Sequence, residues 1–136
     1  MSEPNPSDYR SAPPTWKVLV VDDDTVLLDA VRRGFEQAGV DVTACEGFEE
    51  ARRALRSEHF DALITDVRLG AFNGLQLAVI ARTNSPDIRV VVFSGYDDPV
   101  LRSEAEQAGA SYVIKPVQVA QLMNLLGIRS ALNSDR

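Results

Sequence analysis

The sequence predicts an α/β fold, a doubly wound parallel sheet of five strands with helices on both faces. Short apolar runs alternate with amphipathic stretches along the chain, which is typical of strand–helix–strand units. The runs at 18–21, 62–64 and 90–93 are continuously apolar, as interior parallel strands are, whereas 40–44 alternates and 112–114 is short. We therefore expect the strand order 2-1-3-4-5, with right-handed crossovers.

Length and composition indicate one globular domain. The chain has 136 residues, of which 45% are hydrophobic and 25% are charged. A net charge of -6, with scattered basic residues, argues against direct binding to nucleic acid or to an anionic membrane. Cys45 and His59 are the only residues of their types, which excludes an internal disulfide and argues against a thiolate-rich or histidine-rich metal site. No apolar run approaches the ~20 residues that span a bilayer, so we expect a cytoplasmic protein.

Three segments are predicted from local composition. Residues 1–15 form a proline-rich polar segment that we expect to be a disordered tail. Residues 16–132 should form the folded domain, and 133–136 a second polar tail. Within the domain we expect no internal repeat.

The first half of the domain alternates strands and helices. The predicted elements are a strand at 17–22, a helix at 25–38, an edge strand at 40–44, a helix at 48–58 and a strand at 62–66. In the first helix, apolar residues share one face and Gly39 ends the pattern.

The second half continues the alternation. We expect a helix at 74–83, a strand at 88–94, a helix at 99–108 and a strand at 112–114. Because the helix at 99–108 has few apolar positions, its anchoring to the sheet should be weak. A last helix is predicted after Pro116 from apolar residues at i, i+3, i+4 and i+7, namely Val119, Leu122, Met123 and Leu126.

Polar side chains follow the apolar strands where each one ends. Asp22 and Asp23 follow the first strand, Asp66 ends the third, Ser94 ends the fourth and Lys115 follows the fifth. In the order 2-1-3-4-5 the winding direction reverses between strands 1 and 3, and ligands bind outside the carboxyl ends of strands at such a point. The sequence therefore predicts one site at this edge of the sheet.

The acidic residues indicate a divalent cation and phosphoryl chemistry. Neighbouring carboxylates repel each other unless a hard cation separates them, and Mg²⁺ prefers oxygen ligands. Asp22 or Asp23, Asp66 and a carbonyl of the following loop could hold Mg²⁺ beside a phosphoryl group. A carboxylate nucleophile with Lys115 as a second cation predicts an aspartyl phosphate.

These residues resemble the receiver domain of bacterial two-component response regulators, over about 17–132 of the chain. The matching positions are an acidic pair, a phosphoacceptor, a glycine eight residues later, a hydroxyl, a switch aromatic and a Lys-Pro pair. In this sequence they are Asp22, Asp23, Asp66, Gly74, Ser94, Tyr112, Lys115 and Pro116.

The resemblance implies a flavodoxin-like receiver fold and specific roles. Asp66 would accept a phosphoryl group from a sensor histidine kinase or a histidine phosphotransfer protein, with Lys115 and Ser94 assisting. Mg²⁺ would be held by Asp22, Asp23, Asp66 and the backbone carbonyl of Arg68. Ser94 and Tyr112 would act as the switch, and the peptide bond between Lys115 and Pro116 would often be cis.

The resemblance also implies how the domain signals. Its output would pass through the face of the fourth helix, fifth strand and fifth helix, to an unknown downstream protein or to a second copy in a phosphorylation-dependent homodimer. No output domain is expected after residue 132, so docking would carry the signal. The protein would not be an enzyme beyond its own phosphorylation and dephosphorylation.

Two residues depart from the family pattern. Gly70 stands where the family commonly has proline, and Gly95 where alanine is usual after the hydroxyl residue. Neither change removes a chemical group, but we expect both to loosen loops of the site.

Two alternatives remain open at this stage. The segment 18–26 also fits the Asp-x-Asp pattern of haloacid-dehalogenase-like phosphatases, with Asp22 as the nucleophile. That interpretation leaves Asp66 without a role, and the only acid after Lys115 is Asp135. The second alternative is an interaction module that keeps the fold without being phosphorylated.

Overall fold

The computed structural model describes residues 15–128. The predicted tails, 1–15 and 133–136, lie outside the described residues except for residue 15, as do residues 129–132 of the predicted domain. No helix within the described range is both long and apolar enough to cross a lipid bilayer.

The strands and helices follow the predicted alternation. The first half contains β1 (Lys17–Val21), α1 (Thr25–Gln37), β2 (Asp41–Cys45), α2 (Phe48–Ser57) and β3 (Ala62–Asp66). The second half contains α3 (Gly74–Asn84), β4 (Arg89–Ser94), α4 (Pro99–Gln107), β5 (Ser111–Ile114) and α5 (Val119–Leu126). The predicted boundaries differ from these by at most one residue.

The five strands form one parallel sheet in the order β2-β1-β3-β4-β5. This order confirms the sequence prediction. The continuously apolar strands β1, β3 and β4 are interior because both of their faces are covered, while β2, with its alternating and half-buried residues, lies at one edge.

Helices cover the two faces of the sheet unequally. One face packs against α2, α3 and α4, and the other against α1 and α5. Adjacent residues of a strand point to opposite faces, so Leu19 packs with the three-helix side and Val18 with the two-helix side. Of these helices α4 buries the least, since Ala105 is its only buried residue, in agreement with the weak anchoring predicted for it.

The loop after β3 forms a small hairpin that the sequence analysis did not predict. Residues Arg68–Leu69 pair in an antiparallel manner with Phe72–Asn73. Gly70 adopts a φ of 63° in the turn, a conformation that proline cannot reach. Phe72 stacks on Phe48 at the start of α2, with ring centroids 4.6 Å apart. The glycine therefore fits a paired turn, and the expected loosening does not describe this loop.

Candidate functional site

Three carboxylates meet at the carboxyl edge of the sheet. Asp22 follows β1 and is fully buried, Asp66 ends β3 and is 8% exposed, and Asp23 is exposed. One oxygen from each of these carboxylates lies within 4.8 Å of the other two. The parallel pairing of β1 and β3 explains the meeting of Asp22 and Asp66, because it brings Val21 opposite Thr65.

Lys115 reaches this acidic cluster from the end of β5. Its Nζ lies 3.0 Å from Oδ2 of Asp22 and 3.4 Å from Oδ2 of Asp66. Its backbone N–H donates a hydrogen bond to the carbonyl of Ser94 at 2.7 Å, which fixes the chain after β5 against the end of β4. The peptide bond between Lys115 and Pro116 is cis, as the resemblance implied.

Burial and charge shift the pKa values of these groups. Burial raises the pKa of the Asp22 carboxyl above its ordinary value, and the same cause, with the charge of Asp22, raises the pKa of Asp66. Lys115 opposes both shifts. Burial alone would lower the pKa of Lys115, but the two carboxylates outweigh it and raise that pKa.

The cluster fits a hard divalent cation. Oδ2 of Asp22 is buried, and its only close polar neighbour among the described residues is the ammonium of Lys115 at 3.0 Å, which Asp22 shares with Asp66. A buried carboxylate oxygen without a donor of its own is costly, and a cation would satisfy it. Three carboxylates are also the type of ligand set that such an ion prefers.

The third aspartate of the run at 22–24 caps a helix through hydrogen bonds with the backbone. Asp24 is the N-cap of α1, and its Oδ1 accepts hydrogen bonds from the N–H groups of Val26 and Leu27. Its own N–H donates to Oδ1 of Asp22 at 2.8 Å. Asp24 thereby holds the Asp22 carboxylate in place while starting the helix.

Ser94 and Tyr112 are linked through Tyr96. Oγ of Ser94 accepts a hydrogen bond from the N–H of Tyr96 at 3.2 Å, and the hydroxyl of Tyr112 donates to the carbonyl of Tyr96 at 2.7 Å. Tyr112 is 9% exposed, so the aromatic residue that the resemblance assigns to the switch has a buried position in this structure. The guanidinium of Arg102 lies 4.9 Å from the centre of the Tyr112 ring.

Arg68 lies in the hairpin and is exposed. Its guanidinium lies over the ring of Tyr96, 5.3 Å from the centroid. This contact joins the loop after β3 to the loop after β4, across the side of the site that faces solvent. The use of the Arg68 carbonyl as a metal ligand stays a prediction.

Gly74 has a steric reason to be glycine. A Cβ at this position would lie 1.9 Å from the carbonyl oxygen of Asp66 and 2.8 Å from Oγ1 of Thr65. The start of α3 therefore packs directly on the backbone of Asp66, and any side chain there would displace the end of β3.

Sequence analysis missed several residues that shape the site. The hairpin had a weak signal, a glycine two residues from Arg68 with Phe72 just beyond it. The buried Thr65, whose hydroxyl donates to the carbonyl of Asp66 at 2.9 Å, looked like an ordinary strand residue. Arg102 gave no signal, because only the packing of α4 brings it to Tyr112.

Comparison with known proteins agrees with this geometry. The family model of the response regulator receiver domain matches residues 18–127. The alginate biosynthesis transcriptional regulatory protein AlgB of Pseudomonas aeruginosa is 33% identical over 107 residues, which are 78% of this chain and 24% of AlgB. The chain spans between 17% and 46% of the length of the curated relatives that it matches first.

Solved structures have the same fold. A CheY-like receiver domain protein from Methanospirillum hungatei matches with a TM-score of 0.79 and 26% identity, over 84% of this chain and 92% of that one. A response regulator protein from Burkholderia pseudomallei, solved with a phosphorylated aspartic acid, a calcium ion and citrate, matches with a TM-score of 0.77 and 29% identity. That match covers 88% of this chain and 69% of that one.

These findings decide between the interpretations of the acidic strand ends. The haloacid-dehalogenase-like alternative gains no support, since it gave Asp66 no role, whereas Asp66 shares its cluster with Asp22. The matched family model covers the sheet and all its helices up to the end of α5. The chain therefore belongs to the receiver domain family of two-component response regulators.

Proposed function

We propose that Asp66 is the phosphoacceptor of this receiver domain. The observation that carries the proposal is the different burial of the two central carboxylates. The side chain of Asp66 keeps 11% exposure beside Lys115, whereas that of Asp22 keeps none. An incoming phosphoryl donor can approach Asp66 from solvent. Asp22 has no exposed surface, so it can support the reaction only from the protein interior.

The reaction is an in-line displacement at phosphorus. An oxygen of Asp66 forms the new O–P bond as the P–N bond of a phosphohistidine breaks, and the leaving imidazole nitrogen keeps the bonding electron pair. The ammonium of Lys115, 3.4 Å from Oδ2 of Asp66, offsets the negative charge that gathers on the transferring group. The hydroxyl of Ser94, at the end of the adjacent strand, can donate to a phosphoryl oxygen after releasing the N–H of Tyr96.

We propose Mg²⁺ as the cation of the site. When bound, it neutralises the phosphoryl oxygens that a carboxylate must approach. Asp22, Asp23 and Asp66 would hold it, with the backbone carbonyl of Arg68 as a further ligand. The calcium ion in the Burkholderia relative supports a divalent cation in this family.

The partners follow from this chemistry. The donor would be a sensor histidine kinase or a histidine phosphotransfer protein in the cytoplasm. The output would pass through Ser94 and Tyr112 to the face formed by α4, β5 and α5, and from there to a downstream protein or to a second copy of the chain. The only catalysis would be that of its own phosphorylation and dephosphorylation.

Treatment with acetyl phosphate and Mg²⁺, followed by intact-mass measurement, tests the proposal. We expect one added phosphate in wild type, none in Asp66→Asn, and an unchanged product in Asp87→Asn. Asp87 is exposed and lies outside the cluster, so it controls for the loss of one acid. Any residual product of Asp22→Asn should still map to Asp66.

Two results would contradict the proposal. Phosphate mapped to Asp22 in wild type would favour the phosphatase chemistry. Absence of phosphate on the wild-type protein, from acetyl phosphate and from a panel of histidine kinases, would favour an interaction module that is not phosphorylated.

A further inference from the structure

Tyr112 is held buried by contacts from two sides. It stands opposite Val92 in the β4–β5 pairing and packs with the core on the side of α2, α3 and α4. A buried phenol requires a partner for its hydroxyl, and the carbonyl of Tyr96 supplies it at 2.7 Å. The exposed fraction of Tyr112 is only 9%, so the ring also needs cover from the helix above it.

Arg102 of α4 supplies that cover. Its guanidinium lies 4.9 Å from the ring centre, within the range of a cation–π contact. Asp97 forms an ion pair with the same guanidinium, with its Oδ1 3.0 Å from Nη2 of Arg102. Ala105 is the only buried residue of α4 and Leu101 packs half-buried beside it, so the contact of Arg102 with Tyr112 adds to a small set of attachments between this helix and the sheet.

Neither of these contacts passes through the hydroxyl of Ser94. Oγ of Ser94 bonds the N–H of Tyr96, whereas Tyr112 bonds the carbonyl of Tyr96 and faces Arg102. Movement of the Ser94 hydroxyl toward a phosphoryl group would release the N–H of Tyr96 but would leave the contact of Arg102 with Tyr112 in place. This contact therefore holds Tyr112 independently of Ser94.

We infer that Arg102 is a positioning residue that holds Tyr112 buried, and thereby presets the surface formed by α4 and β5. The consequence for signalling rests on the proposed function, because it concerns the output of phosphorylation at Asp66. With Tyr112 held by Arg102, the part of the output that passes from Ser94 through Tyr112 is small, and residues of the α4–β5–α5 face other than Tyr112 carry the rest. Removal of the Arg102 charge should make the position of Tyr112 depend more strongly on the state of Asp66.

The test follows Tyr112 directly by fluorine NMR. A chain with Tyr9→Phe and Tyr96→Phe keeps Tyr112 as its only tyrosine, since the sequence contains 3. The change at 96 retains the ring and the carbonyl that accepts the Tyr112 hydroxyl. Incorporated 3-fluorotyrosine then gives one signal, and the urea-unfolded chain provides the exposed reference.

The decisive variant is Arg102→Met, which keeps an apolar stem and removes the charge. We expect the ratio of buried to exposed Tyr112 to fall about fivefold, the change that about 1 kcal/mol produces. Asp97→Asn should have a smaller effect, because the ion pair it removes is largely exposed. Arg33→Met is the matched control, since Arg33 is paired with Asp29 on α1.

Addition of Mg²⁺ and beryllofluoride, a phosphoryl mimic, completes the test. The Tyr112 signal of the Arg102-containing chain should hardly move, whereas that of Arg102→Met should shift toward the buried position. A purely structural role of Arg102 would lower the free energy of unfolding without this change in response.

Failure of this inference is distinguishable from failure of the proposed function. An Arg102→Met signal at the wild-type position, or an equal shift in Arg33→Met, overturns the role of Arg102. So does a Tyr112 signal that lies at the exposed position with Arg102 present and becomes buried only with beryllofluoride. Binding of beryllofluoride is followed separately by the amide shifts next to Asp66. If beryllofluoride does not bind, that result counts against the proposed function. The comparison of the ligand-free proteins still decides the role of Arg102.

Discussion

Replacing Asp66 by asparagine should stabilise the cation-free protein at pH 7. The substitution keeps the shape of the side chain and removes one charge from a site where the carboxylates of Asp22, Asp23 and Asp66 lie within 4.8 Å of one another. The variant cannot accept phosphate on a carboxylate at position 66. The carboxylate of Asp66, which the proposed function requires, would therefore lower the free energy of unfolding.

The magnitude follows from the distances. With an effective dielectric constant of about 20, Asp22, taken at the 4.8 Å limit of the cluster, repels Asp66 by roughly 3.5 kcal/mol, and Lys115 at 3.4 Å attracts it by roughly 5 kcal/mol. The exposed Asp23 adds only about 1 kcal/mol of repulsion because water screens it. These contributions nearly cancel, so the cost of burying the carboxylate remains, about 2 kcal/mol after relaxation.

Thermal and urea unfolding in EDTA at low salt measure the effect. A gain of about 2 kcal/mol in the free energy of unfolding corresponds to a melting temperature higher by about 8 °C for a domain of this size. Asp87→Asn, an exposed acid outside the cluster, should change stability by less than about 0.5 kcal/mol. Addition of Mg²⁺ should stabilise wild type more than Asp66→Asn, because the variant has lost a ligand.

The pH dependence has a definite sign. Burial raises the pKa of Asp66 in the folded state, so the folded protein binds this proton more tightly than the unfolded chain does. The penalty is complete above the raised pKa and disappears as the pH falls toward the unfolded value of about 3.9. The advantage of Asp66→Asn should therefore shrink between pH 7 and pH 4. An equal or lower stability at pH 7, or a margin that persists at pH 4, would refute the reasoning.

Three further predictions concern the same site. Tyr96→Ala should shorten the phosphoryl half-life several-fold, because the resemblance to receiver domains implies that position 96 borders the phosphoryl group, where the ring would hinder attacking water, while Tyr96→Phe should leave it unchanged; an equal or longer half-life in the alanine variant would count against shielding. Gly74→Ala should slow labelling by acetyl phosphate and cost about 2 kcal/mol of stability, because its Cβ would meet the Asp66 carbonyl at 1.9 Å, whereas Gly47→Ala, with open space around it, should do neither. Ser94→Ala should weaken the NMR response of residues 95–116 to beryllofluoride, and a full response would rule out the hydroxyl as the relay.

The sheet and its chemical edge were predictable because their signals are local and repeated. Apolar runs of the right length gave the strands, and the alternating pattern of β2 placed it at an edge. Once the order was known, the strand ends had to bring Asp22, Asp66 and Lys115 together. Backbone pairing alone sets these positions, so they do not depend on side-chain packing.

The remaining features depended on packing that one residue does not reveal. The run Asp22-Asp23-Asp24 contains three identical side chains, and only the start of α1 separates the capping Asp24 from the two cluster members. The hairpin rests on the stacking of Phe72 with Phe48, two rings that are 24 positions apart in the chain. Patterns of three or four residues cannot specify such distant contacts.

The sheet edge at Asp66 and the surface at α4 are held by different kinds of contact, which suggests how each can change without the other. The edge of the sheet that holds Asp66 is fixed by backbone pairing and by the close approach of Gly74 to Asp66, so we expect substitutions that disturb either to be costly. Helix α4 has one buried residue, and Leu101 and the contact of Arg102 with Tyr112 add to its attachment. Exposed positions of α4 can therefore vary at little cost in stability, and we expect changes at Arg102 or at its ion-pair partner Asp97 to alter how firmly Tyr112 is held. On the proposed function, such changes would tune the output while the chemistry at Asp66 stays the same.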